Sequence, residues 1–437
     1  MRLFGTDGIR AKAGEYPLND DSVRKLGEAF SGFLCQNDKK KVVVAISRDT
    51  RASGTVIEQA LSDGFLKSAD VMLLGVLPTN ALSYSVRHYK ADGGIMITAS
   101  HNPSEDNGLK FFSSSGVKFN DAEEEEIEKL FFSGAGAKSE APGKISEVNA
   151  KEDYISFLQK AAGGKLGGVK IVVDCANGAA SAVAFEVFNR LGAGAVVIND
   201  KPDGTNINKN CGALFPEVVS QEVKKQNANL GLSLDGDADR AIFCDENGKI
   251  LDGDQYMAIV ASELNKKHLL KKSTLVATAY SNLALDEAMK KDGIKVVRVA
   301  NGDRYVFEEM MKNGYNFGGE KSGHYIFLDY AQGGDGILSA LQLLKIMKET
   351  GKKLSELATL KPYPQLMANV KVKEKKPLEQ LELMRLAKAL EAKIAGRVFI
   401  RYSGTENLLR IMAEGKNEKE LKAAMAELEA QAKKELS

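Results

Sequence analysis

Residues 41–51 read Lys-Val-Val-Val-Ala-Ile-Ser-Arg-Asp-Thr-Arg, an apolar, β-branched run that ends in a polar cluster. The pattern returns twice: Val169–Val173 precedes Asp-Cys-Ala-Asn-Gly, and Ser273–Thr278 precedes Ala-Tyr-Ser-Asn. An amphipathic, helix-like stretch follows each of these units. Buried strands that alternate with helices are typical of α/β domains with parallel or mixed sheets. Ligands in such sheets bind beyond the carboxyl ends of the strands, so the polar clusters mark the edge at which we expect a site.

The length and composition of the chain limit its class. At 437 residues it is too long for one ordinary core, which favours two to four domains. Its 60 Lys and Arg against 59 Asp and Glu give a net charge of +1, so we expect neither nucleic acid nor a membrane as partner. We find no membrane-spanning apolar run and no signal-peptide pattern, and therefore expect a cytoplasmic protein. Scattered cysteines without metal-ligand spacing indicate buried free thiols in a reducing compartment: Cys35, Cys175, Cys211 and Cys244.

Three changes in composition suggest domain boundaries. Residues 133–143 are rich in Gly, Ala and Ser, a second junction lies around Asp252, and Lys361-Pro-Tyr-Pro marks a third. After the third junction, Val398–Arg401 and Leu408–Ala413 read as strands around a loop, before a capped amphipathic helix. The fold class we predict is three similar α/β domains with mixed sheets, followed by a smaller C-terminal α+β domain. The predicted ranges are 1–148, 149–251, 252–362 and 363–437.

The segment Thr98–Pro103 reads Thr-Ala-Ser-His-Asn-Pro and is the first candidate for chemistry. It follows the strand-like run Ile95–Ile97, which leads us to expect Ser100 to be exposed at the end of a strand. Pro103 prevents a helix from starting at once. A hydroxyl held beside the imidazole of His101 and an amide can attack or carry a phosphoryl group. The alternative is an ordinary polar turn after a strand.

The segment 234–240, Leu-Asp-Gly-Asp-Ala-Asp-Arg, is the second candidate. It places carboxylates at alternate positions of a loop: Asp235, Asp237 and Asp239. Such side chains can converge on a hard cation, and oxygen ligands suit Mg²⁺. An EF-hand calcium loop is disfavoured, because Arg240 stands where its sharp turn needs Gly and the flanks read as strands; a structural acidic turn is the other alternative. The acidic run Glu123–Glu126 instead fits the first turn of a helix, where carboxylates are favoured.

Two further loops carry polar groups that suit a phosphorylated sugar. Residues 318–324 read Gly-Gly-Glu-Lys-Ser-Gly-His, in which Glu320, Ser322 and His324 can bond hydroxyls or an amine. Residues 401–407 read Arg-Tyr-Ser-Gly-Thr-Glu-Asn and form a candidate phosphate cradle, or else a plain β-turn between strands. Its candidate phosphate ligands are Arg401, Ser403, Gly404 and Thr405, with Arg410 as a second cation.

The four loops in this order, together with Asn107-Gly-Leu-Lys110, resemble the α-D-phosphohexomutase superfamily over essentially the whole chain. The resemblance implies four domains around a central cleft, each of which supplies one loop, for phosphoserine, metal, sugar and phosphate in turn. Two segments, Phe4–Arg10 and Asn301–Val306, resemble the bacterial branch that interconverts glucosamine 6-phosphate and glucosamine 1-phosphate. That reaction is a step toward UDP-N-acetylglucosamine and cell-wall precursors.

Three positions depart from or distinguish patterns within the superfamily. Relatives that act on mannose or glucose phosphates commonly have His where this chain has Asp303. Pro is often found where Tyr402 and Asn407 stand, and Gln is often found where Lys321 stands. Asp303 therefore favours the glucosamine branch over a phosphomannomutase or phosphoglucomutase.

The resemblance also implies roles for individual residues. Ser100 would carry the phosphoryl group and, with the three aspartates, contact Mg²⁺. The catalytic group would be completed by Arg10, His101, Lys110 and Arg240. The sugar would contact Gly302, Asp303, Glu320, Ser322 and His324.

The expected cofactors are Mg²⁺ and an activating glucosamine or glucose 1,6-bisphosphate, and the expected partner is a small phosphosugar. A Mg²⁺-dependent sugar phosphatase and a non-catalytic sugar-phosphate sensor are the competing hypotheses. The sequence leaves open whether Lys110 or His324 handles the hydroxyl proton. It also leaves open whether the chain forms a homodimer.

Overall fold

The structure is a computed structural model that describes residues 3–5, 7–36, 41–134, 142–403 and 407–436. Contacts between Cα atoms divide the chain into two compact units. The first comprises residues 1–279 and 297–358, and the second comprises residues 280–296 and 359–437. Within the described ranges, no helix combines the length and apolar character needed to cross a bilayer.

The N-terminal part of the first unit is built on a six-stranded mixed sheet. Its strands lie in the order β1-β5-β4-β2-β3-β6. Strand β5 is antiparallel to both of its neighbours, β1 and β4, and the remaining neighbouring strands are parallel. Its elements are β1 (Ile9–Lys12), α1 (Asp20–Leu34), β2 (Val42–Arg48), α2 (Gly54–Phe65), β3 (Ala69–Val76), α3 (Thr79–His88), β4 (Gly93–Ile97), β5 (Asp106–Ser113), α4 (Asp121–Ser133) and β6 (Ile145–Glu147). Strand β2 runs two residues beyond the predicted apolar run, because the Ser47 hydroxyl donates to the Gly75 carbonyl and is satisfied while buried.

The local sequence explains both the core and the ends of this first sheet. The ring of Phe30 on α1 meets Phe65, Phe111 and Phe119 edge-on, with centroids 5.2–6.0 Å apart. Such aromatic contacts add to the free energy gained by apolar burial. Helix α4 begins with a capping box between Asn120 and Glu123, so the acidic run is a helix start, as predicted.

A five-stranded mixed sheet follows, in the order β11-β10-β9-β7-β8. Strands β9 and β10 form an antiparallel pair, whereas β9, β7 and β8 are parallel. The elements are α5 (Ala150–Ala162), β7 (Lys170–Asp174), α6 (Ala184–Arg190), β8 (Gly194–Ile198), α7 (Pro216–Gln226), β9 (Leu230–Leu234), β10 (Ala241–Asp245) and β11 (Ile250–Leu251). Strand β9 is buried throughout, as expected of a central strand.

The third sheet has four strands in the order β13-β12-β14-β15. Strands β12 and β14 are parallel, and β14 and β15 are antiparallel. The elements are α8 (Gly253–Lys266), β12 (Thr274–Thr278), α9 (Leu283–Lys291), β13 (Lys295–Val299), α10 (Asp303–Asn313), β14 (Phe317–Gly319), β15 (Tyr325–Phe327), α11 (Gly336–Thr350) and α12 (Leu354–Leu357). Helix α8 starts with a capping box between Asp252 and Gln255, at the predicted second junction.

The C-terminal part lies in the second unit and consists of a small antiparallel sheet, in the order β16-β18-β17, with two helices. Its elements are β16 (Gln365–Lys371), α13 (Glu382–Lys393), β17 (Gly396–Tyr402), β18 (Leu408–Gly415) and α14 (Glu418–Leu436). Helix α14 buries Leu421, Met425 and Leu428, the apolar face that the sequence predicts. Three mixed α/β sheets and a smaller α+β part confirm the predicted fold class.

Candidate active site

Ser100 lies in the loop that follows β4, in a left-handed backbone conformation with φ of 52°. A non-glycine residue pays roughly 1–2 kcal/mol for that conformation. The hydroxyl of Thr98 accepts the Ser100 N–H at 2.9 Å and helps to hold the turn. The prediction that Ser100 is exposed is wrong, since only 1% of the residue is accessible. Neighbouring loops cover it, and its Oγ donates to Asp235 Oδ2 at 2.6 Å.

The three aspartates lie in the loop between β9 and β10, and all three are buried. One oxygen from each, for Asp235, Asp237 and Asp239, lies within 4.8 Å of the others. Strands flank the loop on both sides, so the EF-hand alternative, which needs helices there, is wrong. A Cβ on Gly236 would stand 2.6 Å from the Ser100 carbonyl oxygen, so only glycine lets the two loops approach this closely.

The charge of this cluster fits a divalent metal ion. Burial raises the pKa of Asp235 to about 8, and repulsion from Asp239 and Asp237 adds to the shift. Asp237 Oδ1 is buried and has no hydrogen-bond partner among the described residues. An oxygen-only ligand set with an unused buried carboxylate oxygen is what a hard cation needs. The three residues can therefore hold a metal ion.

Lys110, on β5, supplies a cation from the neighbouring sheet. Its Nζ donates to Asp237 Oδ2 at 2.8 Å and to Asp239 Oδ2 at 2.9 Å, and it lies 3.2 Å from Asp7 Oδ2. Burial alone would lower the pKa of Lys110, but the three carboxylates raise it well above its usual value. Lys110 is consequently a permanent positive charge beside the aspartate loop.

Arg10, Arg240 and His101 lie around the same loops. The Arg10 guanidinium donates to Asp7 Oδ2 at 2.7 Å, and the Arg240 N–H donates to Asp235 Oδ1 at 3.1 Å. His101 Nδ1 lies 3.3 Å from Ser100 Oγ. Burial lowers the pKa of His101 to about 4, and the positive charges of Arg240 and Arg10 reinforce this. An uncharged imidazole therefore faces the serine hydroxyl at neutral pH.

The residues predicted to contact the sugar fall into two bonded groups. Glu320 Oε1 accepts the Gly302 N–H at 3.0 Å, and Ser322 Oγ lies 3.3 Å from Glu320 Oε2. Gly302 has φ of 130°, which other residues rarely adopt. His324 Nε2 accepts the Gly334 N–H at 3.1 Å and lies 3.4 Å from Asp303 Oδ2. Asp303 and His324 also line one pocket, together with Lys118 and Asp239.

The candidate phosphate loop lies in the second unit, between β17 and β18. Arg401 Nε donates to the Tyr280 hydroxyl at 2.9 Å, and the guanidinium lies 5.5 Å from the centre of that ring. Arg401 is directly opposite Arg410 in the antiparallel pair of β17 and β18, so the two basic residues belong to the same face of the sheet. Ser403 is buried, and its N–H donates to the Leu408 carbonyl. Gly404 and Thr405 lie outside the described residues.

Family models match the chain in four consecutive segments. They are described as phosphoglucomutase/phosphomannomutase alpha/beta/alpha domains I, II and III and C-terminal domain, and they match residues 1–137, 152–248, 252–363 and 367–431. A phosphoglucosamine mutase of Citrifermentans bemidjiense is 48% identical over 96% of this chain and 95% of its own length. One of Alkaliphilus oremlandii is 46% identical over 98% of both chains. The chain belongs to the α-D-phosphohexomutase family, in the phosphoglucosamine mutase branch.

Solved structures of phosphohexomutases share the fold across nearly the whole chain. A phosphoglucomutase/phosphomannomutase family protein from Burkholderia thailandensis has a TM-score of 0.84 at 22% identity, covering 99% of this chain and 97% of its own. An N-acetylphosphoglucosamine mutase from Aspergillus fumigatus, solved with GlcNAc-6P and magnesium, has a TM-score of 0.69 at 19% identity, covering 100% and 96%. At these identities the likeness shows the fold alone.

Three residues of this phosphohexomutase site were not singled out in the sequence. Asp7 binds Arg10, and it also accepts from Lys118 Nζ at 2.6 Å. Lys118 donates in addition to Asp303 Oδ2 at 2.7 Å. Thr79, at the start of α3, donates its hydroxyl to Asp237 Oδ2 at 2.5 Å and its N–H to the Asp237 carbonyl at 3.0 Å. Apart from the local pair of Asp7 and Arg10, these contacts join residues more than 100 positions apart, which local spacing does not encode.

Proposed function

We propose that the chain interconverts glucosamine 6-phosphate and glucosamine 1-phosphate by way of a phosphoserine at Ser100. The phosphoryl group passes from Ser100 Oγ to O1 of glucosamine 6-phosphate, which gives a 1,6-bisphosphate and a free serine hydroxyl. After the bisphosphate turns around, its 6-phosphoryl group passes to Ser100 Oγ and glucosamine 1-phosphate remains. No net phosphate is consumed, and a hexose 1,6-bisphosphate can phosphorylate the enzyme at the start.

One observation carries this proposal: the Ser100 hydroxyl is held 2.6 Å from Asp235 in a buried group of three aspartates and one lysine. A hydroxyl in an ordinary turn needs no such group. A phosphoserine adds about −1.5 to −2 charges, which only strong local positive charge can offset. The relatives named phosphoglucosamine mutase support the choice of substrate.

The charge of each residue around Ser100 indicates its role in the proposed transfer. Lys110 and Arg240 offer N–H donors to the phosphoryl oxygens, with Arg10 in support. His101, uncharged and 3.3 Å from Ser100 Oγ, orients that oxygen and can accept its proton. His324 remains a candidate for proton transfer at the sugar hydroxyl. Lys110 is less suited to act as a base, because its ammonium already donates to two carboxylates.

Asp235, Asp237 and Asp239 would hold Mg²⁺ beside Ser100. A bound Mg²⁺ supplies positive charge for the oxygens of the group in transfer. We assign the metal on the basis of this hard-oxygen ligand set.

The binding residues would lie on two loops. Arg401, Ser403, Gly404, Thr405 and Arg410 would bind the phosphate that is not in transfer. Gly302, Asp303, Glu320, Ser322 and His324 would contact the sugar. A site that can hold either end of a bisphosphate needs donors in a fixed fork, which an arginine provides.

Initial rates on a substrate panel test the proposal. Glucosamine, glucose and mannose 6-phosphates are each incubated with Mg²⁺ and a trace of hexose 1,6-bisphosphate, and the 1-phosphate and free phosphate are followed. We expect clear preference for glucosamine 6-phosphate with negligible phosphate release. Preference for mannose or glucose would overturn the branch, and phosphate release without isomerisation would establish a phosphatase instead.

The same panel tests the source of specificity with Glu320→Ala. Since Glu320 is the only half-buried carboxylate in the predicted sugar segment 318–324, we expect its loss to reduce the preference for the amino sugar about tenfold. The matched control is Glu309→Ala, on the adjacent helix α10 and outside the predicted site. An unchanged preference in Glu320→Ala would move specificity to another residue.

The proposal includes four domains and a cytoplasmic location. The boundaries 148, 251 and 362 are supported by the sheets, since each proposed domain contains all strands of one sheet. The location is supported by the four cysteines, none of which forms a disulfide within the described residues and three of which are buried.

A further inference from the structure

One buried arginine, Arg51, donates hydrogen bonds to the backbone of the turn that carries Ser100. Arg51 follows β2, and only 1% of the residue is accessible. Its guanidinium donates to four backbone carbonyls of the Ser100 loop: Ser100 at 3.2 Å, Asn102 at 2.8 Å, Asp106 at 3.0 Å and Pro103. Its Nε donates to Asp49 at 2.9 Å. All five N–H donors of the guanidinium therefore have acceptors.

The charge and orientation of Arg51 are fixed by the same network. Asp49 neutralises the guanidinium in an ion pair with both side chains inaccessible, and it also accepts the Arg51 N–H at 3.0 Å. Asp49 Oδ2, which accepts from Arg51 Nε, also accepts the Thr98 hydroxyl at 2.7 Å and so links the ion pair to the loop. Thr98 in turn accepts the N–H of Ser100. The loop is thus held at both its amide and its carbonyl groups.

A second side chain, that of Asn208, donates to two of the four carbonyls that Arg51 contacts, those of Ser100 and Asn102. Asn208 Nδ2 donates to Ser100 O at 2.9 Å and to Asn102 O at 3.0 Å. Arg51 Nη2 and Asn208 Nδ2 therefore each bridge the same pair of carbonyl oxygens. The backbone of Gly236, beside Asp235, packs against both the Ser100 carbonyl and Asn208.

We infer that Arg51 and Asn208 are the positioning residues that fix the strained turn of Ser100 relative to the aspartate loop. This inference rests on the proposed function, because it assigns these residues a part in phosphoryl transfer. Neither side chain points a donor at the ligand; both act on the backbone. Their loss should reduce the rate of transfer through misplacement of Ser100 Oγ while leaving phosphosugar binding largely intact.

The test compares Arg51→Lys and Asn208→Gly with the wild-type protein. Lys keeps the charge but cannot reproduce a five-donor fork. Gly tolerates the positive φ of Asn208, which is 58°, and removes the side chain that carries the amide donor. The matched control is Arg48→Lys, since Arg48 ends β2, three residues before Arg51, and is bound to Glu58 on α2.

We expect kcat to fall about 100-fold in Arg51→Lys and about tenfold in Asn208→Gly, with KM for both phosphosugars changed less than about threefold. Amides of residues 98–106 should exchange with deuterium faster in both variants, whereas those of α13 and α14 should not. The fraction phosphorylated by glucose 1,6-bisphosphate at short times, read by intact mass, should fall in step with kcat. Arg48→Lys should behave as wild type.

The inference is overturned if folded Arg51→Lys or Asn208→Gly protein keeps wild-type kcat, or if KM rises while kcat is retained. If Arg51→Lys fails to fold, Asn208→Gly decides alone. Failure of the proposed function looks different: wild-type protein would then not isomerise glucosamine 6-phosphate at all. The exchange measurement distinguishes the two cases, because it reads the loop without turnover.

Discussion

The Ser100–aspartate cluster comprises Ser100, Lys110 and the aspartates at positions 235, 237 and 239. It differs from the candidate phosphate loop in how deeply its charged groups are buried and in what they contact. In the cluster, Lys110 and the three aspartates are buried, and Lys110 contacts two of them as well as the half-buried Asp7. On the phosphate loop, Arg401 is half-buried, contacts an aromatic ring and a hydroxyl, and stands beside a second arginine. Buried charges are held at fixed positions because leaving one unpaired is costly. We therefore expect the cluster to act in bond making and the candidate phosphate loop to bind an anion.

Deleting one atom from the buried cluster gives the largest expected effect. Ser100→Ala removes the oxygen that is proposed to carry the phosphoryl group, so we expect turnover to fall on the order of 10⁴-fold. Conversion of glucosamine 6-phosphate is the measurement, together with intact mass after treatment with glucose 1,6-bisphosphate. Ser104→Ala, in the same loop with its hydroxyl directed at Glu105, is the control. Unchanged turnover in Ser100→Ala would refute the phosphoserine mechanism.

A second change in the cluster removes one carboxylate and keeps its shape. Asp237→Asn should weaken Mg²⁺ binding at least about 100-fold, as measured by calorimetric titration, and lower kcat to a similar extent at fixed Mg²⁺. KM for the phosphosugars should change little, since Asp237 contacts Lys110 and Thr79. The exposed Asp203→Asn is the matched control. Wild-type Mg²⁺ affinity in Asp237→Asn would place the metal elsewhere.

The sequence predicts the parts of the molecule that depend on local pattern. Strand β9 followed by alternating aspartates, and the helix after Asn120, are readable because periodicity and capping act within a few residues. Thr79 and Lys118 were missed for the opposite reason. Both act through contacts with residues more than 100 positions away, and nothing in the local sequence distinguishes a Thr after Pro78 or a Lys between two strand-like runs from any other.

Exposure is the property that sequence reasoning got wrong at the centre of the site. A serine after a strand ordinarily faces solvent, but here the loop between β9 and β10 covers Ser100. The signal for this was Gly236, whose missing side chain permits the contact. That signal becomes readable only when the neighbouring loop is known.

Arg401→Ala tests the other side of the comparison and should have an intermediate effect. Loss of a charge-assisted contact to phosphate should raise KM for both phosphosugars about 10- to 100-fold, with a smaller change in kcat. Initial rates in both directions measure it, and the exposed Arg385→Ala in the same unit is the control. A rise in KM for only one phosphosugar would contradict the idea that the loop binds either end of the bisphosphate.

Tyr280→Phe gives the smallest expected effect and separates the two contacts that orient Arg401. It removes the hydroxyl that accepts from Arg401 Nε at 2.9 Å but keeps the ring beneath the guanidinium. The donor is a charged guanidinium, but at this half-buried site water can replace the lost hydroxyl, so we expect a net cost of about 0.5–1.5 kcal/mol. KM should therefore rise about two- to tenfold for both phosphosugars, with kcat retained. Tyr363→Phe, which loses a hydroxyl bonded to Glu287 in the same unit, should leave KM unchanged. If Tyr280→Phe matched Arg401→Ala, the tyrosine itself would have to contact the phosphate. If Tyr280→Phe had no effect, the ring of Tyr280 alone would orient Arg401. The candidate phosphate loop would then hold its arginine by a single contact, whereas Lys110 in the cluster is held by three carboxylates.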